Sequence, residues 1–183
     1  MPELIWPPIM PVLSDGVVSV RAWATEDADA VYRACQDPDI ARWTKIPVPY
    51  LRQHARELIG PLQEQAWASR TGALFAVVDA VDDRVLASCG LVEVDTEELV
   101  AEVGYWVAPW ARRRHVGLRS VLLLSSWALT ELGVGRLELL AEPANIGSCA
   151  LAERAGFTRE AVLASKTLHR GERRDLVMYA RLS

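Results

Sequence analysis

The chain is short of cysteine, histidine and lysine, and the first two shortages each exclude something. Its three cysteines, Cys35, Cys89 and Cys149, form no CxxC pair. An odd, scattered set supports neither a disulfide framework nor a zinc site, so reduced thiols in a cytoplasmic protein are expected. Three histidines, His54, His115 and His169, are too few to suggest a metal centre. No apolar run reaches the ~18 residues that a membrane-spanning helix needs. The opening MPELIWPPIMPVL holds four prolines and no basic lead, which makes it a poor secretion signal. Basic residues number 20 against 24 acidic ones, a net charge of −4. Nucleic-acid binding is not expected of that balance, although basic residues cluster locally.

What remains is an ordinary globular composition: 183 residues, 51% hydrophobic and 24% charged. That length suits one domain with a sizeable core. Residues 1–16 read as an irregular, proline-rich arm, and 17–183 as the domain. VVSVRAW (17–23) alternates and is valine-rich, which predicts a strand. Thr25 is placed to cap a helix with Glu26, Asp27 and Asp29 near its positive end, and Asp37-Pro38 ends it. Leu51, Ala55, Leu58 and Leu62 recur at helical spacing and predict a second helix over 50–66. Strands over 73–79, 84–94 and 99–107 read as an antiparallel meander. GLRSVLLLSSWALTEL (117–132) predicts a buried helix ended by Gly133 and Gly135. A strand over 136–141, a short helix over 148–156 and strands over 157–164 and 174–182 complete the chain. A polar loop around His169-Arg170-Gly171-Glu172 joins the last two. The crossover from 99–107 to 136–141 through one helix requires a parallel pair in an otherwise antiparallel sheet, an α+β layout.

The chemistry is concentrated in EVGYWVAPWARRRHVGLRSVLLL (102–124). A strand ends, Pro109 interrupts, and a basic loop leads straight into a helix. The loop holds Arg112, Arg113, Arg114 and His115, with Arg119 one turn on. Val116 precedes the helix and Gly117 and Leu118 open it, where unpaired N–H groups and a partial positive charge attract phosphate. Arginines add to this, so a diphosphate is one natural ligand. A solvated basic face is the other reading of such a run.

Arg112-x-x-His115-x-Gly117 resembles the R/Q-x-x-G-x-G/A signature of the GNAT acyl-CoA N-acyltransferases. VSVRAWATEDADAVYRACQDPDIARW, AEVGYWVAPWARRRHVG and RLELLAEPANIGSCALAERAGFTRE resemble, in order, successive segments of the RimJ/RimL-type branch, so the resemblance spans roughly residues 17–183. It implies a mixed, largely antiparallel sheet with helices on both faces. It also implies an enzyme moving an acetyl group from acetyl-CoA to a primary amine, either a protein N-terminus or a small molecule, by direct attack. Two glycines of the family loop are His115 and Arg113 here. An acyl-CoA-binding protein with little transferase activity therefore stays an alternative, as does a larger donor such as succinyl-CoA. Oligomeric state is open, with a homodimer among the options.

The resemblance also assigns roles. Glu102, mid-strand, is the candidate general base; an exposed strand position is the competing reading. Val107 and Ala108 are candidates to bind the pantetheine arm through their backbone, and Arg112 to Arg119 with the helix start would hold the diphosphate. Asn145 is the candidate partner of the cofactor arm and Ser148 the candidate proton donor to the departing sulfur, although either serves equally well as a helix cap. Tyrosine is the donor in many family members, but none lies in 141–157. Trp43, Tyr50 and Trp67 flank the segments that shape the acceptor site, or belong to the core.

Overall fold

A computed structural model of the chain describes residues 3–183. Among the described residues eight strands form one sheet. In chain order they are β1 (Leu13–Ser14), β2 (Val18–Ala22), β3 (Ala73–Asp79), β4 (Val85–Asp95), β5 (Val100–Val107), β6 (Arg136–Ala141), β7 (Thr158–His169) and β8 (Glu172–Leu182). Across the sheet the order is β1-β2-β3-β4-β5-β6-β8-β7. All neighbours are antiparallel except β5 and β6. The crossover between that pair runs through α5 (Val116–Trp127), as the order of elements predicts.

Both faces of the sheet are covered. A half-buried strand would alternate, yet Phe75, Ala76, Val77 and Val78 of β3 are all buried in succession. α5 packs on β2, β4 and β5, and its Trp127 meets Phe75 edge-on at 5.8 Å. α6 (Ile146–Arg154) packs on β6, β7 and β8, and α4 (Gln63–Ala68) on β3. Among the described residues no helix is long and apolar enough to cross a membrane.

The helices between β2 and β3 differ from the expectation. Thr25 makes no cap; a 3-10 turn, Thr25–Asp27, precedes α1 (Ala28–Ala34). Asp27 accepts the Ala24 N–H (2.8 Å) and Arg21 (2.8 Å), a charged partner Thr25 cannot match. Asp37-Pro38 ends one helix and also starts another, α2 (Pro38–Trp43). The Asp37 carboxylate accepts the Asp39 and Ile40 N–H groups (3.0 and 3.1 Å), and proline needs no N–H partner in the first turn. The helix predicted over 50–66 is α3 (Arg52–Glu57), a wide π-type turn over Leu58–Leu62, and α4. Pro61 lacks the N–H that would continue the ladder, so the turn widens.

The hairpin at the end is longer than the sequence suggested. Arg170 (φ 50°) and Gly171 (φ 83°) form the whole connection, a mirror-type turn that lets β7 and β8 pair up to His169 and Glu172. Arg170 donates to the Ala41 carbonyl (2.8 Å), so the hairpin tip rests on α2. At the other end of the chain, the arm is irregular from Glu3 up to β1, a short strand inside the segment expected to be irregular throughout. Its Ile5 N–H donates to the Leu132 carbonyl (2.8 Å), and Trp6 packs against Trp67, ring centroids 4.8 Å apart and planes tilted by 47°.

Candidate active site

The sheet opens at its one parallel pair. β5 pairs with β6 only through Val100, Ala101 and Glu102, whereas on its other edge it stays paired with β4 as far as Val107. The Ala108 N–H continues that ladder by donating to the Leu86 carbonyl (2.9 Å). Backbone groups of successive strand residues point alternately to the two sides, so Val103, Tyr105 and Val107 turn theirs into the gap. Unpaired strand edges inside a domain call for a hydrogen-bonding partner. The gap belongs to a cleft of about 1570 Å³. That exceeds the roughly 300–1,000 Å³ of a single small-ligand pocket and leaves room for two ligands side by side.

Val107 lies on the open edge, as its predicted role needs. Ala108 does not: its carbonyl accepts the Ala111 N–H (2.9 Å) and its N–H faces β4, so both of its backbone groups are already bonded.

The basic loop ends at one wall of this gap. Arg113 (φ 61°) and His115 (φ 57°) both have left-handed backbone, at the two positions where the resembled signature carries glycine. The loop keeps the glycine-like path with side chains attached. His115 is the N-cap residue of α5 and gives it no side-chain cap. The N–H groups of Val116, Gly117 and Leu118 therefore face outward without an intrahelical partner. Gly117 makes the close approach possible: a Cβ there would come within 3.1 Å of both Val107 Cγ2 and Leu151 Cδ1. A left-handed non-glycine residue costs about 1–2 kcal/mol, and glycine loses roughly 0.5–1 kcal/mol of chain entropy in return. His115→Gly should therefore keep or slightly raise the melting temperature, while β-branched His115→Val should lower it. Equal melting of all three proteins would contradict the conformation.

The arginines are less available than their number suggested. Arg112 is held by Asp37 (2.6 and 3.3 Å), with Asp39 3.5 Å away. Partial burial alone would raise the Asp37 carboxyl; the Arg112 hydrogen bond and the Ile40 N–H hold it below the ordinary carboxylate value. Arg112 thus ties the loop to the start of α2. Arg119 pairs with Asp15 (2.6 Å), and Arg114 lies 3.9 Å from Asp79. Among the described residues no carboxylate pairs with Arg113 or His115, and both are exposed beside the helix start. The expected clamp of several arginines reduces to Arg113, His115, a loosely paired Arg114 and the backbone N–H groups.

Glu102 lines the cleft from β5. It stands in register between Glu93 of β4 and Glu138 of β6. Glu138 is hydrogen-bonded by Arg136 (2.7 Å), which Glu160 shares, but among the described residues nothing hydrogen-bonds to Glu102. Burial pushes its carboxyl above 4.5; the Glu93 and Glu138 charges add to this, and Lys45 and Lys166 oppose it. A carboxyl raised in this way, in a cleft and without a hydrogen-bond partner, is a candidate to accept a substrate proton.

Tyr105 lies three residues on and leaves β5 by the opposite face. Its Oη donates to Ser148 Oγ at 3.0 Å. The cap of α6 is Asn145, whose Oδ1 accepts the Ser148 N–H (3.2 Å). That decides between the two residues: Asn145 uses its oxygen as a cap, and the Ser148 hydroxyl does not cap. Asn145→Ala should cost about 0.5–2 kcal/mol of stability, whereas Ser148→Ala, made in a Tyr105→Phe background that strands no hydroxyl, should leave the melting temperature near that of its own parent. Equal losses would contradict this division.

Tyr105 and His169 were not found by sequence reasoning. Tyr105 sits in β5, outside 141–157 where a donor was sought; strand alternation, which puts it on one face with Val107, was the available signal. His169 had no evident partner in the sequence. It lines the cleft from the hairpin, and among the described residues its Nε2 is buried without a partner. Trp43 and Tyr50 also line the cleft; Trp67 packs on Trp6 instead. Cys35 and Cys89 are buried and Cys149 is half-buried.

A sheet opened at its single parallel pair, with a helix start aimed at the opening, is the architecture of an acyltransferase of the GNAT class. The family model for the acetyltransferase (GNAT) domain matches residues 18–158, and the chain belongs to that family. It is 25% identical over 169 residues to the uncharacterized N-acetyltransferase p20 of Bacillus licheniformis, covering 90% of this chain and 92% of that one. Its fold is also that of RimL, a ribosomal L7/L12 alpha-N-protein acetyltransferase solved with coenzyme A. There the TM-score is 0.85 at 15% identity, over 94% of this chain and 98% of that one. The microcin C7 self-immunity acetyltransferase MccE, solved with acetyl-CoA and AMP, matches with a TM-score of 0.83 at 16% identity, over 93% and 94% of the two chains.

Proposed function

We propose that the protein is a cytoplasmic N-acetyltransferase that moves an acetyl group from acetyl-CoA to a primary amine by direct attack. The observation that carries this reading is the unpaired β5 edge, Val103 to Val107, opening beside the uncapped start of α5. An extended amide-bearing arm suits the first feature and a diphosphate the second.

Acetyl-CoA supplies an acetyl group activated as a thioester, with a thiolate as leaving group. The N–H groups of Val116, Gly117 and Leu118, with Arg113, His115 and Arg114, hold the diphosphate. Arg112 and Arg119 support the loop and the helix from Asp37 and Asp15. The backbone of Val107 holds the arm, and Asn145, whose amide nitrogen is left over from capping, lines the same cleft. A primary amine arrives protonated at pH 7. Glu102 accepts that proton at its carboxylate, directly or through one water. Backbone N–H groups on the β5 edge stabilise the developing oxyanion, and the Ser148 hydroxyl donates toward the departing sulfur. The carboxylates of Glu93 and Glu102 attract a cationic acceptor. A protein α-amino group is the first acceptor class to test, since RimL is named for such a substrate.

Glu102 in the cleft favours catalysis over mere acyl-CoA binding, and the aspartate partners of Arg112, Arg114 and Arg119 weaken the nucleic-acid reading. Titration calorimetry with coenzyme A tests the carrying observation. Saturable binding is expected; no heat at about 1 mM ligand would sink the reading.

A further inference from the structure

We infer that Tyr105 is a positioning residue for the leaving-group step, acting through Ser148: its hydroxyl donates to Ser148 Oγ at 3.0 Å and so leaves the serine proton to point into the cleft. This rests on the acetyl-transfer reading of the same site.

Three observations combine here. Ser148 is not a cap, because Asn145 supplies the cap and Ser148 contributes only its N–H. A serine hydroxyl has one proton and two acceptor sites. Once Tyr105 occupies an acceptor site, the proton of Ser148 is available to a third group. Both side chains line the cleft. The tyrosine is itself fixed in place. Its ring edge packs against the start of α5, where a Cβ on Gly117 would lie 3.5 Å from Tyr105 Cε2. The element that holds the diphosphate thus also seats the tyrosine.

Tyr105 keeps its proton throughout. Burial pushes its hydroxyl up to about 12, with the Ser148 hydrogen bond opposing, so it is a poor acid at neutral pH. The balance of the step follows. The amine nitrogen forms a bond to the acyl carbon, the carbon–sulfur bond breaks, and its electron pair stays on sulfur. Glu102 takes the ammonium proton before attack and releases it to water, and then takes the second proton that the nitrogen sheds as the amide forms. Ser148, held by Tyr105, donates a hydrogen bond to the thiolate, which water finally protonates. Donors in a chain polarise one another, so Ser148 is the stronger donor for having Tyr105 behind it.

Tyr105→Phe removes the hydroxyl and keeps the ring against Gly117. It should lower kcat roughly 3–10-fold, the rate equivalent of one neutral hydrogen bond, with an unchanged KM for acetyl-CoA. A second readout needs no turnover. The thiol of bound coenzyme A, titrated through its thiolate absorbance, should have its pKa raised by about half a unit to one unit in Tyr105→Phe. In a Ser148→Ala background, Tyr105→Phe should change neither quantity further. Normal kcat with an unshifted thiol in Tyr105→Phe would overturn the inference, and so would independent, additive losses in the double variant. Those outcomes leave the acetyl-transfer reading standing. Failure of the unaltered protein to bind coenzyme A would remove both.

Discussion

Glu102→Gln should lower kcat about 10²–10⁴-fold, the range for losing a general base, with little change in coenzyme A affinity. The parent should lose activity as pH falls through a value above 4.5, because burial and the Glu93 charge raise this carboxyl. The variant should lack that limb. The same shift predicts a stability effect of opposite sense. A carboxyl raised in the folded state holds its proton more tightly there than in the unfolded chain, so ionising it as pH rises weakens the fold. Glu102→Gln should melt higher than the parent near neutral pH, and the advantage should vanish below the unfolded-state value. A slower but more stable enzyme is the signature of a buried carboxylate kept for chemistry. Full activity in the variant would transfer the base role to another group, with His169 the first to examine.

Ser148→Ala should lower kcat about 10–100-fold, the rate equivalent of one hydrogen bond to a charged thiolate. Its stability should fall by no more than the lost Tyr105 hydrogen bond explains, about 0.5–1.5 kcal/mol, since Asn145 caps α6. Ser148→Asp separates the roles further. An ionised carboxylate accepts and cannot donate to a thiolate, so this variant should be folded and slow. A folded Asp variant with normal turnover would show that Ser148 does not touch the chemistry.

Much of the fold is legible in the sequence because its strands and its buried helix carry strong local patterns. β3 and β6 begin and end where their valine- and leucine-rich runs do. The parallel pair follows from one crossover helix, without any knowledge of packing. The segment between β2 and β3 was less legible, and the reasons are local. Asp37 serves both as the end of one helix and as the cap of the next. Asp27 outcompetes Thr25 because Arg21, six residues away, holds it in place. Pro61 widens a turn whose apolar spacing reads as regular.

The site was legible where it depends on backbone and hidden where it depends on pairing. His115 and Arg113 stand where glycine is usual, and the structure shows the left-handed path that such a position requires. Nothing in ARRRHVG reveals that Asp37 claims Arg112 or that Asp15 claims Arg119, since those partners lie 75 and 104 residues away. Tyr105 and Ser148 are likewise 43 residues apart. Only the folded chain brings them together.

The most direct test is a transfer assay. The unaltered protein is incubated with acetyl-CoA and a panel of primary amines that includes peptides with free α-amino groups, and products are read by mass spectrometry. The account predicts an amine acetylated at nitrogen, with coenzyme A released in equal amount and both lost together in Glu102→Gln. Tight coenzyme A binding with no acetylated amine in the panel would contradict it and leave an acyl-CoA-binding protein in its place.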